Sequence, residues 1–200
     1  ISGATTDPYD DTGAPSNGAG RYYVAYLTAT GATPQPSTAD RGYRISVPDA
    51  PTNVTATDGS SPTTVTVTWT KSTGATGYKV YEGTNLLATL GDVATFDDDS
   101  APAPTISAGT AAASDGTSAS YVTLSLSGES ANNGTSRTYK VVATNAAGDS
   151  ADSDTDTGYR GVGALQYQWK RSTADSDADY SDISGATTDP YDDTGAPSNG

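Results

Sequence analysis

Carboxylates spaced two apart are the feature of this sequence closest to a reactive or binding site. Asp175, Asp177, Asp179 and Asp182 form a D-x-D-x-D-x-x-D run, and Asp152, Asp154 and Asp156 form a second D-x-D-x-D. Oxygen donors at that spacing suit a hard divalent cation, calcium above all. An EF-hand loop also needs glycine at its sixth position and a bidentate glutamate at its twelfth. Those places hold Tyr180 and Ala186 in the first run, and Thr157 and Gly163 in the second. Neither run is an EF-hand. The places left for calcium are the Asp175 run and the turn at Asp97, Asp98 and Asp99. In the other reading each run is a solvated strand edge, since residues two apart on a strand share a face, and its charge discourages edge-to-edge aggregation.

The remaining chemistry is sparse. There is no Cys and no His, which excludes thiol chemistry, zinc fingers, imidazole bases and disulfides. A Ser or Thr without a base beside it is only a hydroxyl, and exposed carboxylates lack the shaped, partly dry site that acid–base catalysis requires. No enzyme and no obligatory cofactor is expected. Lysine occurs only at Lys71, Lys79, Lys140 and Lys170. Each faces outward by alternation or sits in a turn, whereas a Lys–Asn isopeptide crosslink needs a buried lysine. Asn53-Val-Thr55 and Asn133-Gly-Thr135 are glycosylation sequons, permissive only in a chain so rich in Asn, Ser and Thr.

The net charge is −14. Such a surface repels phosphate, so nucleic acid and anionic membranes are poor partners. No run of eighteen apolar residues is present, so no membrane insertion is expected within this segment. Hydrophobic residues make up 34%, with thirteen Tyr against one Phe, enough for thin cores built on Tyr, Val and two Trp. The apolar residues fall in short alternating runs, which a disordered tract of the same composition would not keep.

Residues 1–18, ISGATTDPYDDTGAPSNG, recur letter for letter at 183–200. The offset of 182 residues reads as the period of a tandem array, of which the chain holds one period and an overlap. The competing reading is a finite protein with a duplicated terminal segment.

The elements that must carry these residues are strands. SPTTVTVTWT alternates Val65, Val67 and Trp69 inward against Thr64, Thr66 and Thr68, a half-buried strand. GYKVYEG puts Tyr78 and Val80 on one face, and RTYKVVATNAAG does so with Tyr139, Val141 and Ala143. Turn residues punctuate the chain every 8–12 positions, as an all-β sandwich requires. Thr105 to Ala113 reads as one extended stretch, and Val122, Leu124 and Leu126 as one face of a strand. ALQYQWKRS alternates Leu165, Tyr167 and Trp169, and GRYYVAY places Tyr22, Val24 and Tyr26 on an inner face, leaving Tyr23 outside.

PTNVTAT, VTVTW, GYKVY and TYKVVATNAAGDSA together resemble a fibronectin type III domain over about residues 46–160, with Tyr139 as its corner tyrosine. Residues 161–200 followed in register by 19–45 resemble a bacterial immunoglobulin-like domain, with Trp169 on its third strand. GRYYV stands in place of the family's Gly-x-Tyr-x-Cys corner, and Val24 occupies the cysteine position. The first span is 115 residues against the roughly 90 this resemblance implies, and the second lacks its first two strands. Moving Ala101–Gly128 from one to the other leaves 87 residues and makes 95, both ordinary sandwich sizes. The resemblance therefore implies a split domain. Residues 1–45 are the C-terminal part of one immunoglobulin-like domain, 46–100 plus 129–160 the fibronectin type III domain, and 101–128 plus 161–200 the N-terminal part of the next. A single domain with a long loop at 101–128 is the simpler alternative.

The expected fold is thus all-β, tandem immunoglobulin-like and fibronectin type III sandwiches with a 182-residue period. The expected function is a non-catalytic repeat unit of a long extracellular fibre, adhesin stalk or cell-surface filament, touching neighbouring repeats of the same chain and lateral copies of the fibre. The alternative is a carbohydrate- or protein-binding module, with Tyr22, Tyr23 and Tyr26 as its aromatic platform.

Overall fold

A computed structural model describes residues 1–197; the last three positions of the second copy of the repeated segment, 198–200, lie outside the described residues. The described chain is all-β. Nineteen short strands follow in order: β1 (Arg21–Tyr23), β2 (Tyr26–Leu27), β3 (Gln35–Pro36), β4 (Asp40–Gly42), β5 (Thr52–Ala56), β6 (Val65–Thr70), β7 (Gly77–Glu82), β8 (Asn85–Leu90), β9 (Thr95–Asp98) and β10 (Thr105–Ser107). They continue with β11 (Thr110–Ala113), β12 (Val122–Ser127), β13 (Ser130–Asn132), β14 (Arg137–Asn145), β15 (Gly148–Asp149), β16 (Asp156–Gly158), β17 (Lys170–Ser172), β18 (Tyr180–Asp182) and β19 (Tyr191–Asp193).

The middle of the chain is a β-sandwich. One sheet has the order β5-β6-β9 and the other β15-β14-β7-β8. Val65, Val67 and Trp69 of β6 are buried, as are Tyr78 and Val80 of β7 and Tyr139, Val141 and Ala143 of β14. These are the inward positions that period-two alternation requires. The Trp69 ring lies 5.4 Å from that of Tyr78, tilted by 52°, a favourable aromatic geometry. Strand β7 pairs antiparallel with β14, Val80 opposite Val141, and with β8, where the register shifts between Val80 and Tyr81.

By contact density the chain divides into two units. The first comprises Ile1–Val54, Thr68–Thr95 and Tyr139–Thr155, and the second Thr55–Val67, Phe96–Thr138 and Asp156–Gly200. The first unit also holds two short ladders, β1 with β4 and β2 with β3. The inner face expected there is open: Tyr22 is 75% and Tyr26 68% exposed, and Val24 is exposed as well. Alternation marked these three as inward, and the structure leaves all of them exposed, because no sheet of the unit packs over them. Tyr23, expected outside, is half-buried instead, its hydroxyl donating to Asp11 Oδ2 at 3.1 Å.

In the second unit β10 pairs with β13 and β17 with β18, and a three-stranded sheet has the order β11-β12-β19. The stretch Thr105–Ala113 is two strands in two different sheets. Gly109 breaks it with φ +71°, where a Cβ would meet the Ser127 carbonyl oxygen at 2.6 Å, so only glycine fits the kink. Leu165, Tyr167 and Trp169 keep the expected alternation of burial, but the ladder begins only at Lys170. Trp169 instead bonds through its backbone to Ala186 and Ile183, at 2.9 and 3.0 Å.

Candidate functional site

Three of the four aspartates of the Asp175 run lie off the strands. Asp175, Asp177 and Asp179 lie in the loop joining β17 to β18, all exposed, and Asp182 ends β18 paired with Lys170 at 3.1 Å. Tyr180 donates its hydroxyl to Asp177, and that bond, first among the causes, raises the phenol's pKa. The second run is engaged residue by residue. Asp152 pairs with Lys140 at 2.6 Å, Asp156 accepts from the Ala56 N–H at 2.8 Å, and Asp154 is exposed. Among the described residues no three acidic side chains converge as a metal site would need.

The Asp97–Asp99 turn separates three identical side chains into three environments. Asp97 accepts from Thr66 Oγ1 at 2.6 Å, and Asp99 is exposed. Asp98 is 2% exposed, paired with Arg137 Nη1 at 2.9 Å and bonded by both the amide and hydroxyl of Ser100. Beside it Arg160 donates from Nη1 to the Ala101 carbonyl at 2.8 Å and from Nε to that of Pro62 at 2.8 Å. The Gly134 amide bonds the Arg160 carbonyl at 2.8 Å, and Asn133 Oδ1 accepts from the Val162 amide at 3.0 Å. Residues near 100, 134 and 160 are thus tied together. A buried, satisfied ion pair is architecture here, and neither Arg137 nor Arg160 was singled out by sequence reasoning.

The most specific recognition in the structure is the seat of the repeated segment. Strand β19, inside the second copy, pairs antiparallel with β12: Val122 opposite Asp193, Thr123 opposite Asp192 and Leu124 opposite Tyr191. Side chains reinforce the ladder. Thr123 Oγ1 donates to Asp192 at 2.8 Å, and the Leu126 amide donates to Asp189 Oδ1 at 2.9 Å. Arg171 Nη1 reaches both oxygens of the buried Asp193, at 3.1 and 2.8 Å, and Trp169 Nε1 donates to the Thr188 carbonyl at 2.8 Å. Ala186 is fully buried.

The first copy carries the same local bonds without that seat. The Gly3 φ of +80° matches +78° at Gly185. Thr5 N–H to Gly3 O matches Thr187 N–H to Gly185 O, both 3.0 Å, and Gly13 N–H to Asp11 Oδ1 matches Gly195 N–H to Asp193 Oδ1, both 3.0 Å. Yet Tyr9–Asp11 belong to no ladder among the described residues, Ala4 is exposed and Tyr9 is 44% exposed. Local sequence sets the turns; β12 makes the strand.

No protein-family model and no curated protein matches the sequence. Among solved structures the chain is similar to fibronectin type III-like domains. FN3tt is 18% identical, covering 60% of this chain and all of that one, with a TM-score of 0.39. A Fn3-like protein from Clostridium thermocellum is 19% identical over 60% of this chain and all of that one, TM-score 0.36. The chicken CNTN1 FN1-FN3 domains are 19% identical over 71% of this chain and 44% of that one, TM-score 0.34.

Of the remaining sequence candidates, Asn53 is exposed with φ +53° and donates from Nδ2 to Thr70 Oγ1 at 3.1 Å, and Asn133 is held as described. All four lysines form ion pairs with aspartates, the partners being Asp92, Asp149, Asp152 and Asp182. No helix is long and apolar enough to cross a membrane among the described residues.

Proposed function

We propose that this chain is one period of a tandem array and serves as a non-catalytic structural unit of a long extracellular fibre, adhesin stalk or cell-surface filament. One observation carries the reading: the eighteen-residue identity at an offset of 182 residues, whose second copy is seated in the β11-β12-β19 sheet while the first presents the same conformation with no ladder. On this reading residues 101–128 and 161–200 open one split domain, which residues equivalent to 19–45 complete. With that split the chain crosses the junction near 100/101, 128/129 and 160/161, which makes the junction stiff, and the Arg160 bond to the Ala101 carbonyl supports it at the first and last crossings. The single crossing at Ser46-Val47-Pro48 is then the hinge. No cofactor is needed for any of this.

A sandwich spans roughly 35 Å from its strand lengths and loops, so two per period give an axial repeat of roughly 70 Å. Electron microscopy of the native filament tests this. An axial repeat far below that length would mean that domains stack sideways, and the fibre reading fails. The exposure of Tyr22 and Tyr26 favours a second reading, a carbohydrate-binding face, since exposed aromatic faces stack on sugars. Glycan-array binding that is lost in Tyr22→Ala and Tyr26→Ala would establish it.

A further inference from the structure

We infer that the exposed apolar face of residues 1–45 is a docking site for a second copy of this chain, whose β12 takes Tyr9–Asp11 in the register in which it takes its own Tyr191–Asp193. The inference rests on the repeat reading for its setting, where the second copy is the preceding period. Ile1, Tyr9, Tyr22, Val24, Tyr26 and Leu27 are large apolar side chains all exposed on one short stretch of chain, a concentration that marks an interaction surface. An open cleft of about 1170 Å³ is lined by all of these except Tyr22.

The occupant is identified by sequence identity. Residues 183–197 repeat residues 1–15 and share their backbone bonds, and they sit on β12 through Thr123–Asp192, Leu126–Asp189 and Arg171–Asp193. Subtracting the period turns these contacts into Thr123 with Asp10, the Leu126 amide with Asp7, and Arg171 with Asp11. Asp11 has room for the arginine, because Gly13 and Tyr23 hold it now, one bond to each oxygen, and a carboxylate accepts about four. The acceptor also offers an apolar cleft of about 270 Å³, lined by Ile106, Leu126, Leu165, Tyr167 and Trp169.

Between separate chains, Tyr9–Asp11 of one copy would replace the identical strand of the other. Ladder bonds lost equal ladder bonds gained. What favours the contact is burial of the exposed side chains that follow Tyr9–Asp11, namely Tyr22, Val24 and Tyr26. The contact joins different surfaces of the two copies, so it propagates head to tail instead of closing as a two-fold dimer.

The absence of native cysteine makes the register directly testable. Asp10→Cys in one full-length chain is mixed with Thr123→Cys in another under mild oxidation, with Asp92→Cys against Thr123→Cys as the control. A disulfide between positions 10 and 123 forming several-fold faster than the control supports the inference. The wild-type chain should then show a sedimentation coefficient that rises with concentration, and Val24→Asp should abolish the rise. A 10–123 crosslink no faster than control overturns it, whether the chain is monomeric or associates through another surface. Filaments with the 70 Å axial repeat but no such crosslink would reject this contact and leave the fibre reading standing; the crosslink without that repeat would do the reverse.

Discussion

Thr123 Oγ1 donates a 2.8 Å hydrogen bond to Asp192, sixty-nine positions further along the chain. The bond joins the segment 101–128 to the repeated segment across the whole of β13 to β18. Leu124, the next residue, stands opposite both Ala113 and Tyr191, so it is the centre of the β11-β12-β19 sheet. Leu124 is half-buried, so Leu124→Asp places a partly desolvated charge there, at a cost on the order of 1–3 kcal/mol. Hydrogen exchange should report fast amides at Ala111–Ala113 and Tyr191–Asp193, with β6, β7 and β14 still protected. Uniform loss across all strands would mean that the sheet is no separate cooperative unit.

Arg137 neutralises an aspartate that has almost no contact with water. Removing one partner of a buried pair leaves the other charge uncompensated, at about 3–5 kcal/mol. Ser100 still bonds Asp98, so Arg137→Ala should fall near the lower end, about 3 kcal/mol. The double variant Asp98→Asn with Arg137→Met should recover much of that loss. Urea titrations of the three chains measure it, and equal midpoints for wild type and Arg137→Ala would show that the pair carries no weight.

The β6 and β7 alternations were legible because one face of each strand meets a core, so period two states both the element and its burial. The same rule placed Tyr22, Val24 and Tyr26 together but could not say what covers them, since that depends on a strand far away in sequence. Asp98 was legible in principle: Ala94, Phe96 and Asp98 share a parity on and just before β9, and the inward one of three aspartates needs a cation. The D-x-D-x-D runs were ambiguous for a physical reason. Small polar residues alternating with Asp satisfy a solvated strand edge and an exposed loop equally, and for Asp175–Asp179 the loop won. The break at Gly109 follows from a positive φ that a Ser-Ala-Gly-Thr string permits without announcing.

Lys79 and Asp149 sit on β7 and β15 with 2.6 Å between Nζ and Oδ2. The lysine's hydrogen bond, with a second from Thr144, holds the Asp149 carboxyl below the usual carboxylate range, and the same bond holds the Lys79 ammonium above its ordinary value. A lowered carboxyl stabilises the fold above its unfolded pKa of about 3.9, and that contribution is lost as pH falls through the folded pKa. A raised lysine stabilises below its unfolded pKa of about 10.4, and its contribution is lost as pH rises through the folded one. Asp149→Asn should therefore lower the denaturation midpoint at neutral pH and leave it unchanged in strong acid. Both groups are partly exposed, so the effect is small and fades with salt. A difference that persists undiminished in strong acid would assign the effect to packing.

Trp69 is the largest side chain of β6 and its indole N–H is buried with no hydrogen-bond partner among the described residues. An unsatisfied buried donor costs about 1–3 kcal/mol, so the tryptophan contributes its area and its contact with Tyr78 against a standing penalty. Trp69→Phe removes the donor and keeps a ring beside Tyr78, losing only part of the packing. The expected destabilisation is below about 1.5 kcal/mol, whereas Trp69→Ala, which opens a cavity, should cost about 3–5 kcal/mol. Thermal unfolding followed by circular dichroism compares the two. A Phe variant as damaged as the Ala variant would mean that the indole N–H is satisfied in solution.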